Sequence, residues 1–346
     1  MSFTTLAPTD FVVSSDSVTA PAWSTNVPIL SNFFTASNDN AYYLDVYNTG
    51  SNLSNAAIQF SVVYGHQYGS GSGPINSLVP QNTPTRINFG QYRNLIFGDA
   101  ESNFNFGTGN TSSIDLFVLA IDRNRYKESL FTGTFNLTLT TAAGTILLTD
   151  NSNDVSTVTY VDGGRVYNVI SGSNGTAANS AAATGAPQKG YTASGSYGLF
   201  LPDMGAIVLN PRALALPFVN GGLNMSIYGG SSNGPSNTSA SLNPTTLYNA
   251  IKTGASFQLN SQETISSDYL FIRVPNAGYN YSTNPSFISG SSGEMIYSNF
   301  INNPQTYVTT VGMYNANNEL LAVAKLSKPL VKDFTKESLI RVKLDW

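Results

Sequence analysis

The chain contains one histidine, and it lies next to a glycine-rich turn. His66 occurs within Val63-Tyr-Gly-His-Gln-Tyr-Gly-Ser-Gly-Ser-Gly73. An imidazole here could act as a general base, but a base needs a nucleophile and an orienting group, and the sequence signals neither. The alternative, which we favour, is an imidazole that is hydrogen-bonded where a strand leaves its sheet. A single histidine also excludes a multi-histidine metal site within one chain.

Two glycine-serine motifs match known loops only formally. Gly69-Ser-Gly-Ser-Gly73 lacks the spacing and the Lys-Ser/Thr pair of a phosphate-binding loop, so we expect a turn. Gly230-Ser-Ser-Asn-Gly234 fits the pattern G-x-S-x-G of a nucleophile elbow. That elbow must lead into a helix, whereas Pro235 and a polar tract follow here. In a chain this rich in glycine and serine, we interpret the match as coincidence.

The carboxylates mark no obvious site. Asp150, Ser152 and Asp154 could offer oxygens to calcium, but no glycine follows and no glutamate closes a twelve-residue loop. Capping of a turn by Asx side chains explains this cluster better. The chain has 20 Asp and Glu residues, and their spacing does not distinguish the acid pair of a glycosidase from any other pair. We therefore predict no catalytic residues, no metal and no cofactor.

Charged residues make up only 10% of the 346 residues, less than half of the roughly 25% that is usual. Amide and hydroxyl groups must therefore form the polar surface. Such groups lose water more cheaply than ions do, which suits contact with another protein or with a sugar. The net charge of −4 argues against binding nucleic acid. The chain has no cysteine, which excludes disulfides and thiolate metal sites.

Targeting signals are not visible in the sequence. The start, Met1-Ser-Phe-Thr-Thr-Leu-Ala-Pro8, lacks the basic and apolar regions of a secretory signal. No apolar run approaches the roughly 18 residues of a membrane helix. We therefore expect a chain that is made and assembled in a cytoplasm, with no membrane partner.

Alternation of apolar and polar residues dominates the chain and predicts short antiparallel strands. The segment 133–140, for example, places Phe135, Leu137 and Leu139 on one face. The four residues 315–318 link two of the predicted strands as a hairpin. The remaining predicted strands are 42–47, 58–64, 114–121, 165–170, 206–210, 269–274, 307–314, 320–326 and 339–344.

Helical signals are few. Asn243 and Pro244 begin, and Gly254 ends, one predicted helix, and 123–130 is a second candidate. We thus predict an all-β fold of two β-sandwich-like domains with one or two minor helices. A turn cluster at 150–154 places the domains at residues 1–150 and 151–346. The second domain carries a long exposed loop at about 171–195, which we expect to be a contact surface.

Basic residues are concentrated near the end of the chain. Six of the 16 Lys and Arg residues fall between residues 325 and 343. The cluster could be a solvated tail, could dock on an acidic neighbour, or could protect an edge strand from unwanted pairing. We predict Lys328 and Lys332 within it as protein contacts. Its members are Lys325, Lys328, Lys332, Lys336, Arg341 and Lys343.

Several blocks in a consistent order span nearly the whole chain. They are Tyr43-Leu-Asp-Val-Tyr47, Tyr64-Gly-His-Gln-Tyr-Gly-Ser-Gly-Ser72, Pro84-Thr-Arg-Ile-Asn-Phe-Gly-Gln-Tyr-Arg-Asn-Leu-Ile-Phe-Gly-Asp99, Ile121-Asp-Arg-Asn-Arg-Tyr-Lys127, Tyr167-Asn-Val-Ile-Ser-Gly-Ser-Asn-Gly175, Gly195-Ser-Tyr-Gly-Leu-Phe-Leu-Pro-Asp-Met-Gly205, Ala322-Val-Ala-Lys-Leu-Ser-Lys-Pro-Leu330 and Ile340-Arg-Val-Lys-Leu344. Together they resemble a family of virion structural proteins of large contractile-tailed bacteriophages, cyanophages among them. The resemblance implies a non-catalytic part of a tail, baseplate or neck, assembled in the host bacterial cytoplasm, and it carries no site residues.

The residues and the resemblance agree on a structural protein that contacts copies of itself and other virion proteins. Arg86, Tyr92 and Arg93 are our predicted contact anchors, because Arg and Tyr are favoured at interface hot spots. A receptor-binding or lectin-like module for host glycan is the alternative, and it would need an aromatic-lined concave site. A glycan-cleaving enzyme is a third hypothesis and would need two carboxylates in one cleft.

Overall fold

The computed structural model describes residues 4–35, 42–76, 78–79, 82–107, 112–179, 184–229, 238–282, 284–290 and 293–345. The chain divides into two compact units. Unit 1 combines Met1–Ser17 with Thr264–Trp346, and unit 2 is Val18–Glu263. The motif at 230–234 lies outside the described residues.

Antiparallel strands are the main elements, which confirms the all-β prediction. The strands are β1 (Phe11–Pro21), β2 (Asn32–Thr35), β3 (Tyr43–Tyr47), β4 (Ile58–His66), β5 (Phe104–Asn105), β6 (Ser112–Ser113), β7 (Asp115–Ile121), β8 (Ser129–Leu130), β9 (Asn136–Thr141), β10 (Gly144–Asp150), β11 (Thr159–Val161), β12 (Gly164–Ser173), β13 (Thr176–Ala177), β14 (Gly198–Leu201), β15 (Ala206–Leu209), β16 (Phe257–Gln258), β17 (Asn260–Val274), β18 (Ile288–Ser289), β19 (Glu294–Met295), β20 (Thr306–Tyr314), β21 (Leu320–Lys332) and β22 (Ser338–Asp345).

The helices of the described residues are few and short. They are α1 (Pro84–Phe97), α2 (Pro211–Ala215), α3 (Asn243–Gly254) and α4 (Asn299–Asn302). The helix predicted from Asn243 to Gly254 is therefore confirmed. The second predicted helix, 123–130, is wrong: Arg123–Arg125 is a single 3-10 turn, and Ser129–Leu130 is a strand.

Unit 2 is built on one large antiparallel sheet. Strand β10 pairs on one side with β9 and on the other with β12, for example Asp150 with Val169. The domain boundary predicted at residue 150 is therefore not where the compact units divide, because the sheet continues through it. The order of the main path is β16, β9, β10, β12, β14, β15, β7, β4, β3 and β2.

Apolar side chains cover both faces of this sheet. On one face, α3 contacts β9 as well as β3 and β4, so the sheet curves around the helix. On the other face, Phe89 and Ile96 of α1 pack with Leu116, Val118 and Val208. Burial of both faces explains why the central strands β7, β14 and β15 are apolar without alternation.

Helix α1 is the longest helix described, and the sequence analysis did not predict it. Its ends carry ordinary signals: Thr83 caps the first turn by accepting from the Arg86 N–H at 3.4 Å, and Pro84 is the first helical residue. Gly98 ends the helix in the left-handed conformation with φ 71°. The segment that carries the predicted anchors Arg86, Tyr92 and Arg93 is thus a helix.

Most of β1 and β17 and all of β22 belong to unit 1 and lie in the order β1, β17, β22 in a four-stranded sheet, in which β8 also pairs with β17; unit 1 also contains a hairpin of β20 and β21. The predicted hairpin and closing strand are confirmed: Tyr314 pairs with Leu320, and Arg341 pairs with Phe271. The register of the hairpin shifts between Val308 and Thr310, where the β21 strand carries extra residues.

The centre of the unit 2 core gives a test of this packing. Phe135 is fully buried, with ring centroids 5.4 Å from Phe200 and 6.2 Å from Phe257. We expect Phe135→Ala to lower the free energy of unfolding by about 3–5 kcal/mol, because it removes burial and leaves a cavity. The exposed Phe34→Ala is the matched control and should change it by at most about 0.5 kcal/mol. Denaturant unfolding of both variants measures the difference, and equal losses would contradict the assigned core.

Candidate interaction surfaces

His66 is the last residue of β4, and its imidazole is fully buried. Nδ1 accepts hydrogen bonds from the Tyr68 N–H at 3.1 Å and the Ser70 N–H at 3.3 Å. Nε2 donates to the Gly229 carbonyl. These partners define a neutral imidazole with its proton on Nε2, and burial lowers the pKa of His66. The predicted hydrogen-bonded imidazole at a strand end is confirmed.

A second buried polar group lies beside this histidine in the β4–β7 pairing. Asp115 is opposite His66 in register, and its carboxylate accepts from the Ser113 hydroxyl at 3.0 Å. Burial raises the pKa of Asp115. The Tyr64 hydroxyl lies 3.3 Å from Asp115 and 3.1 Å from the Tyr228 carbonyl. The Asp115 carboxylate therefore accepts from two hydroxyl groups within the chain, those of Ser113 and Tyr64.

Asp150 caps turn backbone, as predicted for the carboxylates at 150–154. Asp150 is buried and accepts from the Gly133 N–H at 2.9 Å and from the Ser152 N–H at 2.9 Å. Asp154 accepts from the Ala177 N–H at 2.6 Å. Asp150 therefore organises the backbone of neighbouring turns, whereas Asp154 holds the backbone of strand β13. No group of three or more metal-binding side chains occurs among the residues that the structure describes.

The segment 171–195, predicted as a long exposed loop, is partly ordered by packing. Strand β12 continues through Ser173, and β13 pairs back onto it. Tyr191 and Thr192 are buried. Residues 180–183 of this segment lie outside the described residues. The described remainder offers less open surface than the sequence suggested.

An open groove of about 240 Å³ lies where α1 meets β3 and β4. Its floor includes Asp45, which accepts a hydrogen bond from the Ser61 hydroxyl. Burial raises the pKa of Asp45, although the Ser61 hydrogen bond opposes this shift. The lining combines aromatic rings, amides, a hydroxyl and one carboxylate: Tyr43, Asp45, Ser61, Val63, Asn88, Gln91, Tyr92 and Ala120.

The three predicted anchors of the 84–99 motif all lie on α1, but they have different surroundings. Arg86 is exposed, and Tyr92 is half-buried in the wall of the groove. Arg93 places its guanidinium 5.5 Å from the centre of the Phe89 ring. The helix thus brings one anchor to the groove and holds another against the core of unit 2.

The two predicted lysine contacts have opposite environments. Lys332 is fully buried, and its ammonium donates to the Asn276 carbonyl at 2.9 Å, to Asn280 Oδ1 at 2.7 Å and to the Asp333 carbonyl at 2.7 Å. The prediction that Lys332 is a protein contact at the surface is therefore wrong, because its buried ammonium donates to three acceptors within the chain. Lys328, in contrast, is exposed on β21.

Lys328 belongs to a basic groove of about 360 Å³ in unit 1, between β21 and β22. The groove is lined by four cations, Lys325, Lys328, Arg341 and Lys343, over an apolar floor that includes Leu326 and Ile340. Part of the C-terminal basic cluster is thus organised into one surface.

Two of the four cations have local partners. The Lys343 ammonium lies 2.8 Å from an Asp345 oxygen, and both Arg341 and Lys343 lie within 6 Å of the centre of the Tyr269 ring. Lys325 and Lys328 have no ion pair with any described residue. The groove therefore keeps positive charge that the described part of the chain does not neutralise.

Unit 1 buries very little apolar surface. Among its described residues only three apolar side chains are buried: Leu270, Val274 and Val342. Every member of the two hydrophobic core clusters belongs to unit 2. Large apolar side chains of unit 1 are instead exposed, among them Phe11, Val12, Val13, Tyr281, Tyr297, Ile301, Tyr307, Leu320, Leu321, Val323, Phe334 and Leu339.

Comparison with known proteins adds no identification. No family model, no curated protein and no solved structure matches this chain. Within the described ranges, no helix is both long enough and apolar enough to span a bilayer.

The sequence analysis found the cations of the basic groove but missed both grooves as sites. Each groove joins residues that are far apart in sequence, such as Asp45 with Gln91 in one and Lys328 with Lys343 in the other. The caps of α1 at Thr83 and Gly98 were the available signal for the helix that walls the first groove.

The environment of His66 predicts a pH-dependent contribution to stability. The folded-state pKa of His66 lies below its ordinary value of about 6.5, so the unfolded chain takes up a proton first as the pH falls below 6.5. This contribution is fully present above pH 6.5 and is lost as the pH falls through the lowered pKa, by about 1.4 kcal/mol for each unit of pKa difference. His66→Gln should lose about 1–3 kcal/mol at pH 7.5, because buried N–H donors lose their acceptor.

Unfolding titrations of both proteins between pH 4.5 and 8 measure this effect. The free-energy difference between wild type and His66→Gln should shrink below pH 6.5, because only the wild type carries the histidine-dependent loss. A difference that stays constant over this range would contradict the buried neutral imidazole.

Proposed function

We propose that the chain is a non-enzymatic structural component of a tailed-phage virion. It acts through protein–protein contacts with copies of itself and with other virion proteins in a tail, baseplate or neck assembly. The observation that carries this proposal is the exposed apolar surface of unit 1, in which strands of 8–15 residues bury only three apolar side chains among the described residues.

Physical reasoning connects this observation to assembly. An isolated two-stranded hairpin is marginally stable in water, and sheets ordinarily need an apolar face packed on another layer. The β20–β21 hairpin presents Leu321 and Val323, which are 67% and 57% exposed. Large exposed apolar patches on a folded chain mark interaction sites. A neighbouring subunit that covers unit 1 would supply the missing layer.

The low charge of the chain supports the same function. A surface of amides and hydroxyls can be buried against a partner at lower cost than a surface of ions. The basic groove adds specificity, because Lys325 and Lys328, which have no ion pair with any described residue, favour an acidic partner surface. The resemblance of the ordered sequence blocks to phage virion proteins supports a virion as the assembly.

Sedimentation velocity tests the assembly surface directly. We expect the wild-type chain to self-associate and Leu321→Asn/Val323→Asn to raise the dissociation constant at least tenfold, or about 1.4 kcal/mol, because it removes apolar contact area. Val155→Asn/Val158→Asn is the matched control in unit 2, where both valines are less than 40% exposed, and it should leave association unchanged.

Mass spectrometry of purified virions from the encoding phage tests the location. We expect the chain at a fixed copy number in the particle. A chain that is absent from virions and monomeric at every concentration would overturn the proposed function.

The groove beside α1 supports a second candidate function, recognition of a host surface glycan. Sugar rings stack their C–H faces on aromatic rings, and their hydroxyls pair with amides and carboxylates. Tyr43 and Tyr92 supply rings, Gln91 and Asn88 supply amides, and Asp45 supplies the carboxylate. The groove is smaller than the roughly 300–1,000 Å³ of drug-sized ligand sites, so it suits a short saccharide.

A glycan array of bacterial surface oligosaccharides tests this second function. We expect any binding to fall at least tenfold in Asp45→Asn/Gln91→Ala, which replaces the carboxylate of the groove by a neutral amide, removes one amide and keeps the side chains of the core. Tyr160→Ala, a strongly exposed tyrosine outside the groove, is the control. Equal binding by both variants, or none by wild type, would exclude the groove as a glycan site.

A further inference from the structure

The unit 1 sheet has two open edges. Its order is β1, β17, β22, so β17 is the central strand and the other two are edges. Within the described residues, neither β1 nor β22 pairs with a second strand on its outer side. An edge strand presents unpaired N–H and C=O groups, which form a template for a strand of another chain.

The β1 edge lacks the usual devices that block such pairing. Ten of its eleven residues are exposed, including Phe11, Val12 and Val13. It contains no Lys or Arg, and its proline, Pro21, is at the very end. Its one charge is Asp16. A long, exposed edge strand that is rich in β-branched residues tends to pair with a strand of another molecule. We therefore expect a partner strand to cover β1.

The β22 edge, in contrast to β1, is basic. Arg341 and Lys343 lie on the exposed positions of this strand, and the basic groove runs beside it. Lys325 and Lys328 contribute positive charge with no ion pair among the described residues. The groove floor offers apolar atoms for a strand that carries apolar side chains.

We propose that β1 of one copy adds to the free edge of β22 in a neighbouring copy, so that the sheet of unit 1 continues from subunit to subunit. The apolar β1 edge, whose one charge is Asp16, then meets the basic, apolar β22 edge. This inference rests on the proposed function and names the surface and the partner: a second copy of this chain. Because the two edges differ, the contact is heterologous and generates a closed ring or an open helical array.

Basic residues on an edge can also serve to prevent pairing. If the basic residues served to prevent pairing, β22 would have no partner strand. The apolar β1 strand at the opposite edge would then also stay exposed. Charge complementarity between the two edges favours pairing between copies. The two roles predict opposite results in a cross-linking experiment.

The absence of cysteine from the chain makes this experiment specific. One set of proteins carries a single cysteine on β1, at Val12, Val13, Ser14 or Ser15. A mass-tagged set carries a single cysteine on β22, at Leu339, Ile340, Arg341 or Val342. A disulfide requires Cβ atoms about 3.5–4.5 Å apart, so it reports neighbouring strands. The control is Asn317→Cys in the exposed turn of the hairpin.

The two sets are mixed, oxidised gently and separated under denaturing conditions. We expect at least one β1–β22 pair to give tenfold more mixed dimer than the same β1 variant with Asn317→Cys. Association without any β1–β22 disulfide would overturn this inference while leaving the proposed function in place. A chain that is monomeric but present in virions would also overturn the inference alone.

A charge-reversal variant provides an independent measurement that needs no cross-link. Lys325→Glu/Lys328→Glu should raise the dissociation constant for self-association at least tenfold, because an acidic groove repels Asp16 of the neighbour. Lys252→Glu, on the exposed side of α3, is the control and should leave it unchanged. Unchanged association in the double variant would overturn the role of the basic groove.

Discussion

Burial of apolar side chains is the constraint on which the rest of this structure depends, and the two units meet it differently. Unit 2 covers both faces of its sheet, with α3 on one side and α1 on the other. Unit 1 has strands that are as long but buries only Leu270, Val274 and Val342 among its described apolar residues. Exposed apolar surface of this extent is typical of interaction sites.

The same constraint explains how the chain treats its buried polar groups. His66, Asp150 and Lys332 are inside, and each is matched by backbone or amide partners. An unpaired buried polar group costs free energy, whereas a matched one fixes the geometry around it. His66 and Asp150, which the sequence analysis weighed as a general base and a calcium ligand, therefore organise a strand end and a turn.

Local patterns carried most of the sequence prediction. Alternation found strands such as β9 and β20, and the Asn243–Gly254 caps found α3, because these signals lie within a few residues. Helix α1 was missed because Asn, Gly and Gln interrupt its apolar positions, and its packing on the sheet decides its structure. The segment 123–130 was misread because Leu130 is buried by tertiary contacts and not by a helical stripe.

The candidate surfaces depend on contacts that no local pattern contains. Lys328 and Lys332 are four residues apart in one basic cluster, yet one is exposed beside a groove and the other is fully buried. The difference in burial between the two lysines follows from the position of each on β21 and from the carbonyls that surround Lys332. In a chain with so few charges, Lys325 and Lys328 of β21 stand out, because neither has an ion pair with a described residue and both line the groove beside β22.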